Sequence, residues 1–303
     1  MRSVLSTLAR GFCMGAADVV PGVSGGTMAF ILGIYQRLLE AIRAFDLQLL
    51  AVLRRGRLRE AARHVDLVFL LPLACGIFGA LMFFTRVVPL PTLIRTHGEL
   101  VYGLFFGLVL GSIVSLWDSI ERVGPGGWLA LAAGALFGFG VVNLVPTETP
   151  EAAWFLFLSG ALAITAMILP GVSGSFVLLI LNKYAYLFEA IGRFDFAVLV
   201  PFGFGAAAGL AAFSRLLVWL LHRFRRATLL AITGVLVGTL WMIWPFQART
   251  YATVAGKERL LAVRPVWPPE WDATAWASLG LMAAGLFAVI AIHWMARSRP
   301  APG

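Results

Sequence analysis

The sequence predicts an all-α, polytopic membrane protein with two inverted repeats, each a Pro-Gly-broken re-entrant helical hairpin plus three transmembrane helices. Three observations support this prediction: the composition is strongly apolar, six apolar runs are long, and the motif Pro-Gly-Val-Ser-Gly occurs twice. Of the 303 residues, 60% are hydrophobic and 13% are charged, against about 25% charged in a typical soluble domain. The mean hydropathy is +0.88. This composition places most of the chain in lipid.

Six apolar runs are long enough to span a bilayer, since a helix needs about 20 residues to cross the hydrocarbon core. Two further apolar regions, 4–42 and 153–191, are each cut near the middle by Pro-Gly-Val-Ser-Gly. We expect each of these to form two half-helices that enter and leave the membrane on the same side. The six expected spans are Leu67–Val88, Leu100–Trp117, Trp128–Val145, Phe196–Leu221, Thr228–Trp244 and Ala273–Met295.

The two motifs belong to an internal repeat that covers most of the chain. Pro21 aligns with Pro170 at an offset of 149 residues, and the match continues after two gaps at offsets of 129 and 127. The predicted halves are 1–146 and 147–303. Further matched pairs are Gly22 and Gly171, Tyr35 and Tyr184, Arg86 and Arg215, and Gly107 and Gly234.

The distribution of positive charge predicts that the halves have opposite orientations. If both broken segments are re-entrant, each half crosses the membrane three more times, which is an odd number. The cytoplasmic segments then hold 14 of the 24 Lys and Arg residues and the outside loops hold 6, as the positive-inside rule requires. The first hairpin then opens to the cytoplasm and the second to the outside. The cytoplasmic segments are 1–10, 43–66, 118–127, 220–227 and 296–303, and the outside loops are 90–99, 146–152, 192–195 and 247–273.

Two loops are longer than their counterparts in the other half. The cytoplasmic insertion 43–66 is rich in Arg with interspersed Leu, which fits either an amphipathic surface helix near anionic headgroups or a solvated basic loop. The outside loop 247–273 contains Trp267 and Trp271. It fits either a lid or interfacial anchor, or a simple insertion.

The two helix breaks are the candidate functional site. Proline removes a backbone donor and glycine permits a left-handed turn, so a new half-helix can begin just beyond the break. Its first N–H groups lack helical partners and carry the positive end of the helix dipole, which favours an anion. Paired breaks in two halves indicate a transporter site. The breaks are at Pro21, Gly22, Pro170 and Gly171, and the expected anion-binding residues are Ser24, Gly25, Gly26, Thr27, Ser173, Gly174 and Ser175.

Asp18 lies three residues before the first break, and Met167 occupies the equivalent position in the second half. An ionisable group in a membrane segment is costly, which makes a functional role the default hypothesis. We interpret Asp18 as a candidate proton or cation coupling group. The alternative is a cap-like hydrogen bond to the broken backbone nearby.

Basic residues inside apolar segments are candidate ligands for a substrate phosphate. Arg86 and Arg215 are repeat equivalents and could bind an anionic headgroup from opposite sides, or snorkel to the interface. Lys183 is a third candidate, on the second hairpin. Glu40 and Glu189 recur in register, and we expect them to pair across one turn with Arg37 and Lys183 respectively.

The remaining polar residues give no sign of a metal or cofactor. Cys13 and Cys75 both lie in apolar stretches without ligand spacing, so we expect neither a disulfide nor a metal site. The basic residues cluster in short loops between apolar runs, which indicates orientation signals rather than a nucleic-acid surface.

The two motif regions resemble the bacterial polyprenyl-phosphate transporter family. The residues that carry the resemblance are Gly15-Ala-Ala-Asp-Val-Val-Pro-Gly-Val-Ser-Gly-Gly-Thr27 with Ile34-Tyr35, and Leu169-Pro-Gly-Val-Ser-Gly-Ser175 with Asn182-Lys-Tyr184. The resemblance implies a flippase, not an enzyme, that moves undecaprenyl phosphate across the bacterial cytoplasmic (inner) membrane. Its role would be to recycle the carrier lipid for cell-envelope and peptidoglycan synthesis. The implied partners are this lipid and the bilayer. Whether the protein also forms a homo-oligomer is left open by the resemblance.

Two other functions remain as alternatives. A secondary transporter for a small soluble anion fits the two breaks equally well in physical terms. A membrane-embedded polyprenyl-pyrophosphate phosphatase would share the inverted repeats, with a Pro-Gly-x-Ser-Arg-Ser turn. This chain has Gly25 and Gly174 where that turn has arginine, and no histidine lies close in sequence to either turn. Phosphoryl hydrolysis requires charge stabilisation and an activated nucleophile, so the phosphatase is disfavoured.

Overall fold

A computed structural model describes residues 2–19, 24–88, 93–94, 96–118, 120, 123–144, 146–254, 257–268 and 270–297. Within these residues the chain is almost entirely α-helical, as predicted. The helices of the first half are α1 (Arg2–Val19), α2 (Gly25–Ile31), α3 (Tyr35–Arg43), α4 (Leu47–Arg54), α5 (Leu58–His64), α6 (Leu67–Arg86), α7 (Gly98–Asp118) and α8 (Pro125–Val142). Those of the second half are α9 (Ala153–Ile168), α10 (Gly174–Ile180), α11 (Tyr184–Arg193), α12 (Phe196–Arg223), α13 (Arg225–Thr239) and α14 (Ala273–Arg297).

The six predicted spans are confirmed. α6, α7, α8, α12, α13 and α14 coincide with the six apolar runs, and each is long and apolar enough to cross a membrane, α13 together with the 3₁₀ turn Leu240–Ile243 that continues it. Many large apolar side chains on these helices are exposed, including Leu71 on α6, Leu136 on α8 and Phe204 on α12. Exposed apolar surface on long helices is what contact with lipid requires. The chain is therefore a multi-pass membrane protein.

Each broken region contains three helices rather than the two half-helices we expected. After the tip, α10 runs for seven residues and then meets α11 at an angle of 103°. Asn182 forms this bend in the left-handed region, with φ 51, and its repeat equivalent Gly33 does the same between α2 and α3, with φ 68. At 1.5 Å per residue α10 covers roughly 10 Å, about a third of the hydrocarbon core. α10 alone is thus too short for a full crossing, and the bent pair α10–α11 forms either a re-entrant loop or a broken span.

Equivalent helices of the two halves make equivalent contacts. α1 packs along α6, as α9 packs along α12. In both pairs small residues allow the close approach that membrane helices use. A Cβ at Gly11 would overlap the carbonyl of Leu73, and a Cβ at Gly160, its equivalent, would overlap the carbonyl of Phe202.

The last two long helices of each half pair across the halves. α7 packs along α14, and α8 packs along α13. A Cβ at Gly107 on α7 would overlap the carbonyl of Met282, and a Cβ at the equivalent Gly234 on α13 would overlap that of Leu131. The repeat alignment matches α7 with α13, and the order of the helices matches α8 with α14, so each pair of helices corresponds to the other pair. Neither half therefore completes its helix packing alone.

The two long loops have regular structure. The insertion 43–66 forms the short helices α4 and α5, with Leu50, Leu53 and Leu58 exposed. The loop 247–273 contains an antiparallel pair, β1 (Gln247–Val254) and β2 (Lys257–Pro265). The all-α prediction did not include these strands. The sequence of β1 is rich in Thr, Tyr and Val and is followed by a glycine, which is a typical hairpin pattern.

The first hairpin lies in the middle of the molecule. Residues Gly25 to Ala29 of α2 are all buried, and Leu39 of α3 is fully enclosed. The largest buried cluster joins these helices to α6, α7, α12 and α13. Non-helical backbone at membrane depth is tolerated where protein covers it, and Ser24, the described residue before α2, meets that condition because it is buried.

Candidate functional site

The tips of the two hairpins contact each other directly. The Ser24 hydroxyl donates a hydrogen bond to the backbone carbonyl of Met167 at 3.2 Å. The backbone N–H of Gly171 donates to the Thr27 hydroxyl at 2.9 Å. Ser24 and Thr27 are both almost completely buried, with 2% and 1% of their surface exposed. The structure therefore brings the start of α2, just after the first predicted break, into contact with the second predicted break.

A tyrosine provides the third bond between the hairpins. The Tyr35 hydroxyl donates to the backbone carbonyl of Ile168 at 3.2 Å, in a buried position. The sequence analysis included Tyr35 as a repeat position matched by Tyr184 and as part of the family resemblance, but not as a site residue. Its recurrence beside both breaks was the signal that could have placed it in the site.

The first tip satisfies its own backbone. The Asp18 carboxylate accepts from the N–H of Gly25 at 2.7 Å, and the Ser24 hydroxyl accepts from the N–H of Gly26 at 3.1 Å. Ser24 has extended backbone, which is the normal geometry of a helix N-cap. The cap-like interaction considered for Asp18 is thus present. A carboxylate occupies the position that the sequence assigned to a bound anion.

The second tip is differently arranged. Met167 stands where the first half has Asp18, and Ser173 accepts no side-chain capping bond at the start of α10. Instead the Ser173 and Ser175 hydroxyls lie 2.7 Å apart, at an exposed position. Gly171 has φ 93, a left-handed conformation that glycine adopts without strain. The two tips are therefore equivalent in sequence but unequal in accessibility.

The glycines beside the breaks allow parts of the protein to approach the backbone. A Cβ at Gly25 would lie 2.6 Å from an Asp18 carboxylate oxygen, and one at Gly26 would lie 2.6 Å from the carbonyl of Ile168. A Cβ at Gly174 would lie 2.5 Å from the carbonyl of Ala163. Substitution at any of the three would displace a neighbouring element.

The two arginine candidates lie in the C-terminal parts of their helices, Arg86 in the last turn of α6 and Arg215 about two turns before the end of α12. Arg215 on α12 donates to the carbonyl of Ala211 at 2.7 Å and to the carbonyl of Phe45 at 3.2 Å, in the connection between α3 and α4. Arg86 is exposed in the last turn of α6. Arg215 also lines a surface groove with Arg43, Asp46, Trp219 and His222.

Lys183 is 98% buried, and its ammonium group donates to the carbonyl of Thr149 at 2.9 Å. It lies over the ring of Tyr186, at 5.5 Å from the centroid. The predicted pairing with Glu189 is wrong, since Glu189 pairs with Arg193 at 2.6 Å.

The expected pair of Arg37 and Glu40 is also wrong. Arg37 makes a two-pronged salt bridge with Asp66, at 2.7 and 3.2 Å, and its guanidinium lies 4.4 Å from the ring centroid of Phe69. Glu40 instead accepts from Gln36 at 3.0 Å. A planar, two-pronged contact with a carboxylate is the strongest arrangement for arginine. Arg37 therefore pairs with Asp66 rather than with Glu40 in its own helix. Pro21 and Gly22, the first predicted break, lie outside the described residues.

Six long apolar helices around two broken hairpins with touching tips define a polytopic membrane protein of transporter architecture. The chain belongs to the undecaprenyl phosphate translocase-like family, whose model matches residues 14–259. It is 41% identical over 270 residues to a polyprenyl-phosphate transporter of Vibrio cholerae serotype O1, covering 88% of this chain and 87% of that protein. It is 28% identical over 261 residues to a polyprenyl-phosphate transporter of Staphylococcus aureus, covering 78% and 84%. No solved structure matches the chain.

Proposed function

We propose that this protein is a flippase that moves polyprenyl phosphate, such as undecaprenyl phosphate, across the bacterial inner membrane for carrier-lipid recycling, without catalysing a reaction. Family membership and the names of both relatives support the substrate. The single observation that carries the mechanism is the contact between the hairpin tips, through Ser24 with Met167 and Thr27 with Gly171. A phosphate headgroup that passes between hairpins opening to opposite sides must pass this contact.

The second tip is the proposed phosphate-binding side in the conformation described. Its Ser173 and Ser175 hydroxyls are within reach of a ligand and bond only to each other in the contacts that the structure gives them. The close packing of Gly174 places the start of α10 beside α9. Hydroxyl groups at a helix start that carries no acidic side chain favour an anion.

The first tip is the proposed coupling element. The Asp18 carboxylate and a lipid phosphate are both anions, and both require the N–H of Gly25. Protonation of Asp18 weakens its charge-assisted hydrogen bond and removes the repulsion between the two anions. When Asp18 is protonated, its carboxyl group would therefore release the tip, and the lipid phosphate would bind there instead, at Ser24, Gly26 and Thr27. Proton or cation coupling follows from this competition.

The arginines are proposed to attract the headgroup at the two membrane faces. Arg215 lies beside the α3–α4 connection, on the face predicted to be cytoplasmic. Arg86 lies at the equivalent C-terminal end of α6, which the predicted inverted arrangement places on the opposite face. Lys183 would contribute its positive charge to the second hairpin from a buried position. These roles rest on the inverted arrangement of the halves 1–146 and 147–303.

Reconstituted transport tests this function. The full chain in vesicles should move polyprenyl phosphate from one leaflet to the other, and should release no inorganic phosphate from polyprenyl pyrophosphate. A chain carrying both Ser24→Ala and Ser173→Ala, folded as judged by its unfolding temperature, should move the lipid at least tenfold more slowly. In cells that lack other carriers of this lipid, loss of the protein should raise undecaprenyl phosphate at the outer surface. Unchanged surface levels would refute the proposal.

A further inference from the structure

A cavity of about 260 Å³ lies at the ends of several helices, and its lining includes Tyr35, whose hydroxyl bonds to Ile168 in the second hairpin. Phe30 and Ile31 at the end of α2 and Tyr35 and Gln36 at the start of α3 form one wall. Leu116 on α7 and residues of α12, α13 and α14 form the others. The predicted orientation places all these helix ends on the cytoplasmic side. Both halves of the chain therefore build this cavity.

Two groups that can carry positive charge line the cavity. Arg225 begins α13, and His293 lies near the end of α14. The Nε2 atom of His293 is 3.2 Å from a carboxylate oxygen of Asp118, which fixes the orientation of the imidazole ring. Asp118 is not among the lining residues. Asp118 therefore orients His293 from outside the cavity, and no carboxylate is among the lining residues.

The position of Arg225 in its helix is unfavourable unless an anion is nearby. α3, α4, α6 and α11 each carry arginine in the last turn, where it complements the helix dipole. Arg225 instead occupies the first position of the 15-residue helix α13, and Phe224 before it offers no side-chain cap. A cation there costs roughly 0.3–1 kcal/mol. The positive-inside rule explains an arginine on this side, but not one in the first turn facing a cavity.

Apart from Ser112, Ser115 and the polar groups of Tyr35 and Gln36, the rest of the lining is apolar. Leu116, Leu221, Leu229 and Val289 complete the wall beside Phe30 and Ile31. A cavity of this volume is below the roughly 300–1,000 Å³ of sites that enclose a drug-sized ligand. It suits a phosphate group with the first carbons of an apolar chain, and it is too small for a long lipid tail.

We propose that this cavity is a second binding site for the phosphate monoester headgroup, on the cytoplasmic side of the tips, with Arg225 as its principal ligand and His293 and Gln36 as further ones. The inference rests on the proposed transport of a lipid phosphate. Tyr35 connects the two sites, since its ring region lines the cavity while its hydroxyl bonds to Ile168 in the second tip. A headgroup that leaves the tips on this side enters the cavity next.

The first experiment measures binding of farnesyl phosphate and of inorganic phosphate to the purified full chain in detergent. Arg225→Gln should weaken farnesyl phosphate binding about tenfold, which corresponds to about 1.4 kcal/mol. Arg223→Gln is the matched control, because that arginine lies over the ring of Phe224 and is not part of the lining. It should bind within twofold of the parent chain. Equal loss in both variants, or no loss in Arg225→Gln, would overturn the assignment.

The two phosphate probes distinguish a lipid headgroup from a free anion. The apolar wall predicts that the parent chain binds farnesyl phosphate at least tenfold more tightly than inorganic phosphate. Equal affinity for both would contradict a lipid site. His293→Gln should produce a smaller loss than Arg225→Gln, because the Nε2 atom of His293 already contacts Asp118 at 3.2 Å.

The second experiment fills the cavity. Leu229→Trp places a larger side chain in the lining, whereas Leu216→Trp makes the same change on the exposed face of α12. In vesicles, Leu229→Trp should slow lipid transport at least fivefold and Leu216→Trp should not. If the parent chain moves no lipid, the proposed function fails. If the parent chain moves lipid and Leu229→Trp moves it equally fast, only the cavity assignment fails.

Discussion

The hydroxyl oxygen of Thr27 accepts a hydrogen bond from the backbone N–H of Gly171 at 2.9 Å, although the two residues are 144 positions apart in the chain. Gly171 is part of the second predicted break, and Thr27 follows the first predicted break by five residues. Thr27 is in α2 and Gly171 precedes α10, so the bond joins the two hairpins where each reverses direction. This bond directly supports the proposal that the two hairpins form one site.

Thr27→Val should destabilise the contact between the hairpins. Valine preserves the shape of threonine but cannot accept the Gly171 N–H, and an unsatisfied buried donor costs about 1–3 kcal/mol. The unfolding temperature of the purified protein should fall. Thr27→Ser retains the acceptor and is the control. Equal stability of the valine and serine variants would show that the bond contributes nothing.

Gly26→Ala should separate the tips by steric overlap. The added Cβ would lie 2.6 Å from the carbonyl of Ile168, and backbone cannot move away cheaply. Gly203→Ala on α12 is the matched control, because a Cβ there meets nothing within 4 Å. Alanine is favoured over glycine in a helix by up to about 1 kcal/mol, so the control should be at least as stable as the parent. Thermal unfolding of both variants measures the difference.

Asp18→Asn should abolish the pH dependence of transport. Asparagine can still accept the Gly25 N–H through its amide oxygen, so the tip keeps its geometry while the titrating group is lost. Initial rates in vesicles across a pH series measure the effect. Glu60→Gln, in the exposed helix α5, should keep the parent profile. A pH profile that survives intact in Asp18→Asn would remove Asp18 from the coupling mechanism.

Ser173→Ala should impair transport without reducing stability. The Ser173 hydroxyl bonds only to Ser175 in the described contacts, at an exposed position, so its removal leaves no buried group unsatisfied. Ser24→Ala should impair both, because Ser24 also caps α2 and caps are worth about 0.5–2 kcal/mol. Transport rate and unfolding temperature, measured together, separate the two roles. Full transport by Ser173→Ala would remove the second tip from the phosphate path.

Asp46 should make the start of α4 sensitive to acid. The N–H of Leu49, followed by the nearby His64, lowers the pKa of the Asp46 carboxyl below its usual value. A lowered pKa in the folded state means that the stabilisation is present at neutral pH and is lost as the pH falls through that lowered pKa. Hydrogen-exchange protection of the Leu49 amide should fall over that range. Asparagine is as good a helix N-cap as aspartate. The Asp46→Asn variant should therefore keep the hydrogen-exchange protection of the Leu49 amide, and this protection should not change with pH.

The spans and the paired breaks followed from the sequence because both depend on local chemistry. Apolar runs such as 196–221 cannot satisfy their backbone in lipid except as helices, and Pro170-Gly171 cannot continue one. The bend between α10 and α11 was not predicted because it occurs at Asn182, and an asparagine does not by itself indicate left-handed backbone. The equivalent bend between α2 and α3 occurs at Gly33, and a glycine is a typical sign of such a turn. The β1–β2 pair was missed because an overall apolar pattern masked a short polar hairpin.

The site was only partly predictable for a different reason. Sequence spacing placed Ser24 beside a break, but it could not show that the partner of Ser24 is a carbonyl 143 positions away. Arg37 had a carboxylate one turn along its helix, yet Asp66 outcompeted it because α6 begins beside α3. The position of Arg225 in a predicted basic loop gave no sign of the cavity that it lines. Contacts between distant segments decided each of these cases.

The pairing of α7 with α14 and of α8 with α13 has a consequence for biosynthesis. When the ribosome has completed α8, neither α7 nor α8 has its packing partner, and both must wait in the membrane until α13 and α14 have been inserted. A chain stopped after residue 146 would expose the glycine faces of both helices to lipid. The two halves expressed as separate polypeptides in one cell should accumulate together, and each half alone should be degraded.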